Sequence, residues 1–525
     1  MFVNLDLTAV LPVLIPLTLS VAGLLTGLSR ITDKTRQIML KWISAAIMVS
    51  AIVITVGHIE KTDKPQALLA MNNVNLLVLL LVCFMAIVLI KFSQRYLFAE
   101  KNTHRYWRWL FLSLTSVSVV IVSNHLLLFW LGWVSISLCF HRLLLFYPDR
   151  PRAVLAAHKK FILARVAEIF LLSAIVLLYS QLGTFYLAEM TNHYLSASIP
   201  VELSLAEKCA AIMLALTALI KCAQLPLHGW LIQVVEAPTP ISALLHAGII
   251  NLGGFLLLSF APLIAFSSDA QWLILIIAGL STLISALVMM TRISIKVKLA
   301  WSTCAQMGLM LIECALGLHE LALLHLISHS LYKAYMFLSA GDVLQEYSLK
   351  QLAPQKNVTF ISAMSSLLLV VISTYGIVYF TSYSGPLSVW LLVNTALALY
   401  LVSAVRNGTV LQFLTSCLTV ALLVGFYMGG KTILTWVMPP LPASTMFDAM
   451  DIWLSALFVA LFLLAVQVRV FPQAKATRTL YRWLFSGLYL DELMTRLTLF
   501  LWPITLRPET AIKQNDQSLT KEPTS

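Results

Sequence analysis

Apolar runs of about twenty residues recur along almost the whole of this chain, and no segment alternates with the period of a strand. Twenty residues of helix span about 30 Å, the thickness of a bilayer core. A membrane barrel would need strand-period alternation instead. The 525 residues are 60% hydrophobic and only 11% charged, whereas soluble domains run near roughly 25% charged. The chain therefore reads as all-α, a polytopic membrane helix bundle of about 14–16 spans. The expected spans are 9–29, 41–57, 74–92, 109–123, 125–147, 160–180, 209–229 (broken), 241–265, 272–291, 299–318, 320–341, 358–381, 387–405, 409–428 and 452–470, with 483–505 as a further candidate.

The formal net charge of +12 follows the topology rather than nucleic-acid binding. Basic residues fall in alternate loops: Arg30 to Lys41, Lys91 to Arg108, Arg142 to Lys160, and Arg292 to Lys298. The loops between them carry few. The positive-inside rule makes the basic set cytoplasmic and puts the N-terminus outside, for a multi-pass protein of the cell inner membrane. Lys159 and Lys160 are read here as loop anchors. The start of the chain lacks a basic n-region and a small-residue cleavage site, so 9–29 reads as a retained span. Seven cysteines lie in or beside apolar segments without a CxxC spacing, which predicts buried thiols and no disulfide framework, zinc site or cluster.

One stretch departs from a plain apolar span. Residues 221–254 read KCAQLPLHGWLIQVVEAPTPISALLHAGIINLGG. Pro226, Pro238 and Pro240 remove backbone donors and clash with the preceding turn, so the helix must break near 226–240. At membrane depth a break is tolerated only where protein or a wet cavity satisfies the freed backbone. Lys221, His228, Glu236 and His246 flank it, and intramembrane ionisable groups point to function by default. The competing reading is a lysine that snorkels to the interface.

A second constellation lies in LALLHLISHSLYKAYMFLSAGDVLQ, 321–345. His325, His329 and Lys333 are spaced i, i+4, i+8, which drifts about 40° and rises about 6 Å per step. They form one polar stripe on an otherwise apolar helix. Histidine titrates near neutral pH and can take and give a proton. No Walker loop, dinucleotide fingerprint, metal motif or catalytic triad stands out, so neither enzyme chemistry nor a cofactor is expected of this chain.

The segment AQLPLHGWLIQVVEAPTPISALLHAGIINLGG resembles, without a gap, the broken-helix signature of the proton-translocating antiporter-like proteins. That family includes subunit L of NADH-quinone oxidoreductase, the large Mrp antiporter subunit, and the DabB subunits of DabA–DabB inorganic carbon pumps. TRISIKVKLAWSTCAQMGLM, 291–310, resembles the family's DIKRxLAYSTISQLGYM signature, with Ser294 in place of the acid. The likeness covers about residues 70–345, with a weak match around the DEL triplet of LYLDELMTRL, 488–497, expected to be a packing or partner surface.

The resemblance implies ion translocation through Lys221, His246, His325, His329, Lys333, Glu168 and Glu236, with His141, Arg165, His228 and Lys296 as secondary candidates. Two departures qualify it. Where the family's GW pair is followed by a membrane glutamate that partners the lysine, this chain has Val134. Glu168, at the end of ARVAE, is the expected substitute partner for Lys221; the other reading pairs it with Arg165. Second, the spans 358–381, 387–405 and 409–428 hold no Lys or acid, and the chain is too short for the respiratory subunit's lateral arm.

These departures and the run HRLLLFYPDRPRAVLAAHKKF resemble the DabB branch. That branch implies a cytoplasmic-side, zinc-binding, carbonic-anhydrase-like DabA partner, with this chain supplying a flux of H⁺ or Na⁺, H⁺ being the expected ion. The alternatives are an antiporter-like subunit of a respiratory or Mrp complex and a non-conducting scaffold. The expected organisation is N-terminal spans at 1–108, a translocation core at 109–345, C-terminal spans and tail motif at 346–506, and a disordered tail at 507–525.

Overall fold

In a computed structural model, residues 11–59, 66–196, 202–341, 385–405, 410–438, 447–503, residue 441 and isolated positions between 364 and 379 are described. The expected span 358–381 lies largely outside the described residues, and the tail 507–525 lies wholly outside them. The described regular structure is helical, apart from two isolated bridges.

The chain opens with α1 (Leu14–Thr26), α2 (Asp33–Ile59), α3 (Asn73–Tyr96), α4 (Thr103–Val122) and α5 (Leu126–Leu144). Arg36 was expected in a loop but is buried, donating to the carbonyls of Thr26, Leu28 and Ile31. It satisfies acceptors that the end of α1 leaves open. The long α6 (Pro151–Leu182) starts on a proline, which suits a first turn, and stops at Gly183 in the left-handed region (φ 68°). A short α7 (Leu187–Leu195) leads to α8 (Leu205–Lys221), which opens with a Ser204–Glu207 capping box.

The break then occurs as the prolines require. After Lys221 come a turn, α9 (Gly229–Gln233), a 3₁₀ turn Val234–Glu236, and α10 (Thr239–Ala247) with Pro240 in its first turn. Protein groups satisfy the freed backbone: Leu225 N donates to Ser281 Oγ at 3.0 Å, and Gln224 Nε2 donates to the carbonyls of Cys222 and Cys304. The expected single span 241–265 is itself divided. Gly248 leaves helical geometry, Ile249–Asn251 form a 3₁₀ turn, and α11 (Leu252–Ser259) and α12 (Ala261–Phe266) follow. Just after this second break the chain packs closely against α8: a Cβ at Gly253 would lie 2.5 Å from Cys222 Sγ and 2.8 Å from Ala218 O.

Next come α13 (Ser268–Met289), α14 (Ile295–Ala315) and α15 (His319–Leu338), then α16 (Leu387–Val405), α17 (Val410–Thr435) and α18 (Ala449–Val470). The closest pairings are α13 with α14, α6 with α8, and α4 with α5. One apolar core runs through these helices from Leu11 to Met494. Eight helices among the described residues are long and apolar enough to cross a membrane, and two shorter apolar ones accompany them. The 17-residue α8, the 21-residue α14 and the 20-residue α15 carry the buried ionisable groups, which lower their hydropathy. The candidate span 483–505 is not a single span: α19 (Lys475–Phe485) and α20 (Glu492–Leu501) are 11 and 10 residues long. Gly487, Leu488 and Tyr489, all at positive φ, separate them.

Candidate ion-translocation site

The first cluster forms where α8 ends. Lys221 is buried there, with Nζ 4.7 Å from the ring centre of Trp133 on α5. Lys160 of α6 is buried beside it, donating to Ser137 O at 3.2 Å with Nζ 4.9 Å from the Phe140 ring centre. Both lysines line a cavity of about 20 Å³ with Trp133, Trp230 and Ile249. That is room for about one water-sized guest.

Glu168 is also buried in α6 but turns to a different partner. Its Oε1 accepts from Ser137 Oγ at 2.5 Å and from Arg165 at 2.8 Å, and Arg165 also donates to Ser137 Oγ. Of the two readings of Glu168, the ion pair with Arg165 is the one that forms. No ion pair to Lys221 forms among the described residues; Glu168 acts on that ammonium through space.

The second cluster lies along α15. His325 Nδ1 is 3.0 Å from Glu313 Oε2 of α14. His329 follows, its ring 6.0 Å from that of His325; it is buried, and among the described residues neither ring nitrogen has a protein partner. His246 of α10 stacks on Phe337 at 4.3 Å and places Nδ1 3.1 Å from Thr303 Oγ1. Lys333 is fully buried, donating to Leu299 O at 3.1 Å and Ser302 Oγ at 2.9 Å. His325, His246 and Lys333 all act electrostatically on His329, which stands at the centre of the row. From Glu313 to Leu299 the row follows α14 for about 20 Å.

The second break lies between the clusters. Ile249 also lines a cavity of about 40 Å³ that is bounded by Asn251 and Ser330. Asn251 Nδ2 donates to Ser330 Oγ at 2.6 Å, one residue from His329. Ile249 therefore lines both the cavity of the first cluster and this mostly apolar cavity, which reaches the second cluster only at Ser330, the neighbour of His329.

The other candidates lie apart. Glu236 is half-exposed at the surface, 3.7 Å from Arg152. Lys296 donates to Thr239 Oγ1 at 3.0 Å at the foot of α10. His228 packs on Trp301 at 4.8 Å. His141 Nδ1 lies 3.1 Å from Ala157 O, in an aromatic group with Phe161 and Trp502.

Several residues of these clusters were not singled out from the sequence: Lys160, Ser137, Glu313, Asn251 and Ile249. Lys159 and Lys160 are not loop anchors. The preceding loop ends at Arg150, and α6 carries both inward by more than two turns. Glu313 had a readable signal, an acid inside an apolar run twelve residues before His325.

Comparison with known proteins places this arrangement. Residues 123–357 match the family described as NADH:quinone oxidoreductase/Mrp antiporter, TM, which takes in both clusters. The "Probable inorganic carbon transporter subunit DabB" of Hydrogenovibrio crunogenus is 46% identical over 83% of this chain and 83% of its own length. The chain belongs to the DabB family. DabB2 of Halothiobacillus neapolitanus is 33% identical over 82% of this chain and 80% of its own length. NADH-quinone oxidoreductase subunit L of Escherichia coli is 30% identical over 53% of this chain and 45% of its own. The helical fold is similar to that in the "Structure of Mrp complex from Dietzia sp. DQ12-45-1b", with a TM-score of 0.58 and 19% identity over 98% of this chain and 62% of that one. This DabB-family chain is thus a multi-pass membrane subunit of antiporter-like descent, as the broken-helix signature implied.

Proposed function

We propose that this chain is the membrane subunit of an energy-coupled inorganic carbon pump, and that it conducts a cation, H⁺, to drive a DabA-type partner. The reading rests above all on the buried row Glu313–His325–His329–His246–Lys333, a line of groups able to exchange protons inside an apolar bundle. The 46% identity to a protein named as an inorganic carbon transporter subunit supports the carbon assignment.

In this reading residues 109–345 are the translocation core, in the inner membrane with the N-terminus outside. A proton enters by one half-channel and exchanges with Lys221. It then passes Ile249 and the Asn251–Ser330 pair to His329. From there it leaves near Lys333. Glu168 and Arg165 fix the charge near Lys221, and Glu236, His141, His228 and Lys296, which lie apart from both clusters, are secondary candidates only. One proton moving down 100 mV releases about 2.3 kcal/mol, which is available to the coupled partner. That partner would hold the zinc and the carbonic-anhydrase-like chemistry that makes uptake one-way.

The likeness to subunit L over half the chain supports a second reading, an antiporter-like subunit of a respiratory or Mrp complex. A mild-detergent pull-down from native membranes, read by mass spectrometry, separates the two. The carbon-pump reading expects a large zinc-binding soluble subunit, and its place taken by several hydrophobic respiratory or Mrp subunits would overturn it. In a host that needs added CO2, co-expression of the chain and that partner should restore growth in air.

A further inference from the structure

The cavity at the end of α8 is lined by hydrogen-bond donors and by no side-chain acceptor. Its lining consists of Lys160, Lys221, Trp133, Trp230 and apolar residues. An ammonium has three N–H donors and an indole one, and neither has an acceptor. Lys160 spends one donor on Ser137 O. Among the described residues no hydrogen bond or ion pair is found for Lys221, and the buried Trp230 Nε1 has no partner either.

The surrounding charges do not balance. With both lysines protonated, Lys160, Lys221 and Arg165 set three positive charges against the single carboxylate of Glu168, and Arg165 and Ser137 already occupy one of its oxygens. Lys160, Lys221 and Glu168 are each at least nine-tenths buried, so solvent does not screen the excess. Buried charges need a partner of opposite sign and filled hydrogen bonds.

We propose that this cavity binds one small monatomic anion of the halide class, held by Lys160, Lys221 and the indole N–H of Trp230. The anion supplies the negative charge that the protein lacks beside Lys221. Its size follows from the cavity, which at about 20 Å³ admits one water-sized guest and not a three-oxygen anion such as bicarbonate. The site does not depend on which cation the protein conducts.

The test is thermal unfolding of the full chain, purified with any subunit that accompanies it, in sodium bromide and in sodium gluconate at equal ionic strength. Bromide should raise the midpoint saturably in the wild type. Lys160→Met and Lys221→Met should lose that response, whereas Lys296→Met should keep it. Ala164→Asp, which hangs a carboxylate from a cavity-lining position, should make the midpoint independent of the salt. If the lysine variants do not fold, tryptophan quenching in the native chain decides. Saturable quenching by bromide that disappears in the double variant Trp133→Phe/Trp230→Phe supports the site. Equal wild-type midpoints in both salts, an undiminished response in both lysine variants, or purely linear quenching that persists in Trp133→Phe/Trp230→Phe would overturn it and leave the cluster discharged by loss of a lysine proton.

Discussion

Lys159 Nζ lies 2.7 Å from Asp491 Oδ2, joining α6 to α20 across 332 residues of sequence. The lysine is fully buried and the carboxylate about a quarter exposed. Thr495 also contacts the ammonium, at 2.6 Å, and Gln233 of α9 donates to the same carboxylate oxygen at 3.0 Å. The C-terminal helices are thereby fastened beneath the broken helix. Of the DEL triplet it is Asp491 that packs, against the chain's own α6 and α9, while Glu492 pairs with Arg496 at the surface and Leu493 is exposed.

Breaking this pair leaves a buried charge without its partner. Asp491→Asn should cost about 2–4 kcal/mol, and the double variant Lys159→Met/Asp491→Leu should recover part of that loss. Thermal unfolding in detergent and protease sensitivity of residues 475–503 would check it. Gly229→Ala should behave like Asp491→Asn, because a Cβ at Gly229 would sit 1.6 Å from Asp491 Oδ1 and push the carboxylate away.

The second break gives a paired prediction. Gly253→Ala sets a methyl against a fixed carbonyl and should cost about 1–3 kcal/mol. At Gly254 the three nearest atoms all belong to the Met310 side chain, the closest 2.3 Å away. A thioether chain can turn aside, so Gly254→Ala should cost less. Unfolding midpoints of the two variants, measured side by side, should keep that order.

Much of this arrangement is legible in the sequence because its cause is local. Three prolines dictate the first break, and the i, i+4, i+8 spacing places His325, His329 and Lys333 on one helix. What is not legible depends on contacts between distant segments. Lys160 looks like a loop residue because the loop and helix α6 share a basic run, and only tertiary packing shows it facing Lys221. The second break at Gly248 carries no proline, and the close approach of Cys222 and Ala218 to Gly253 just after it comes from segments distant in sequence. Arg165 and Glu168 are three residues apart on one helix, so their pairing is readable from spacing, but the Ser137 hydroxyl that contacts both comes from a neighbouring helix and is not.

Glu313 orients the first histidine of the row. Removing its charge while keeping its shape should slow transfer and leave the fold intact. Glu313→Gln should lower cation flux by about tenfold, equivalent to about 1.4 kcal/mol in the barrier, with Glu313→Asp in between. Flux into vesicles, normalised to assembled protein, is the readout.

Ile249 separates the two cavities with an apolar side chain. Ile249→Ala should join them and raise flux that is not coupled to carbon uptake. Ile249→Trp should fill both and lower flux. Comparing vesicle flux with carbon uptake in the same variants separates these outcomes from general damage.

His329, at the centre of the second cluster, is the residue proposed to take the proton arriving from Lys221 and pass it towards Lys333. The direct measurement reconstitutes the complex in liposomes, traps a pH-sensitive dye inside, imposes a membrane potential and compares wild type with His329→Ala and His329→Gln. Both variants should assemble and lose at least about tenfold in proton flux, the equivalent of about 1.4 kcal/mol. Wild-type flux through an assembled His329→Ala complex would contradict it and leave this chain without a conducting role at that residue.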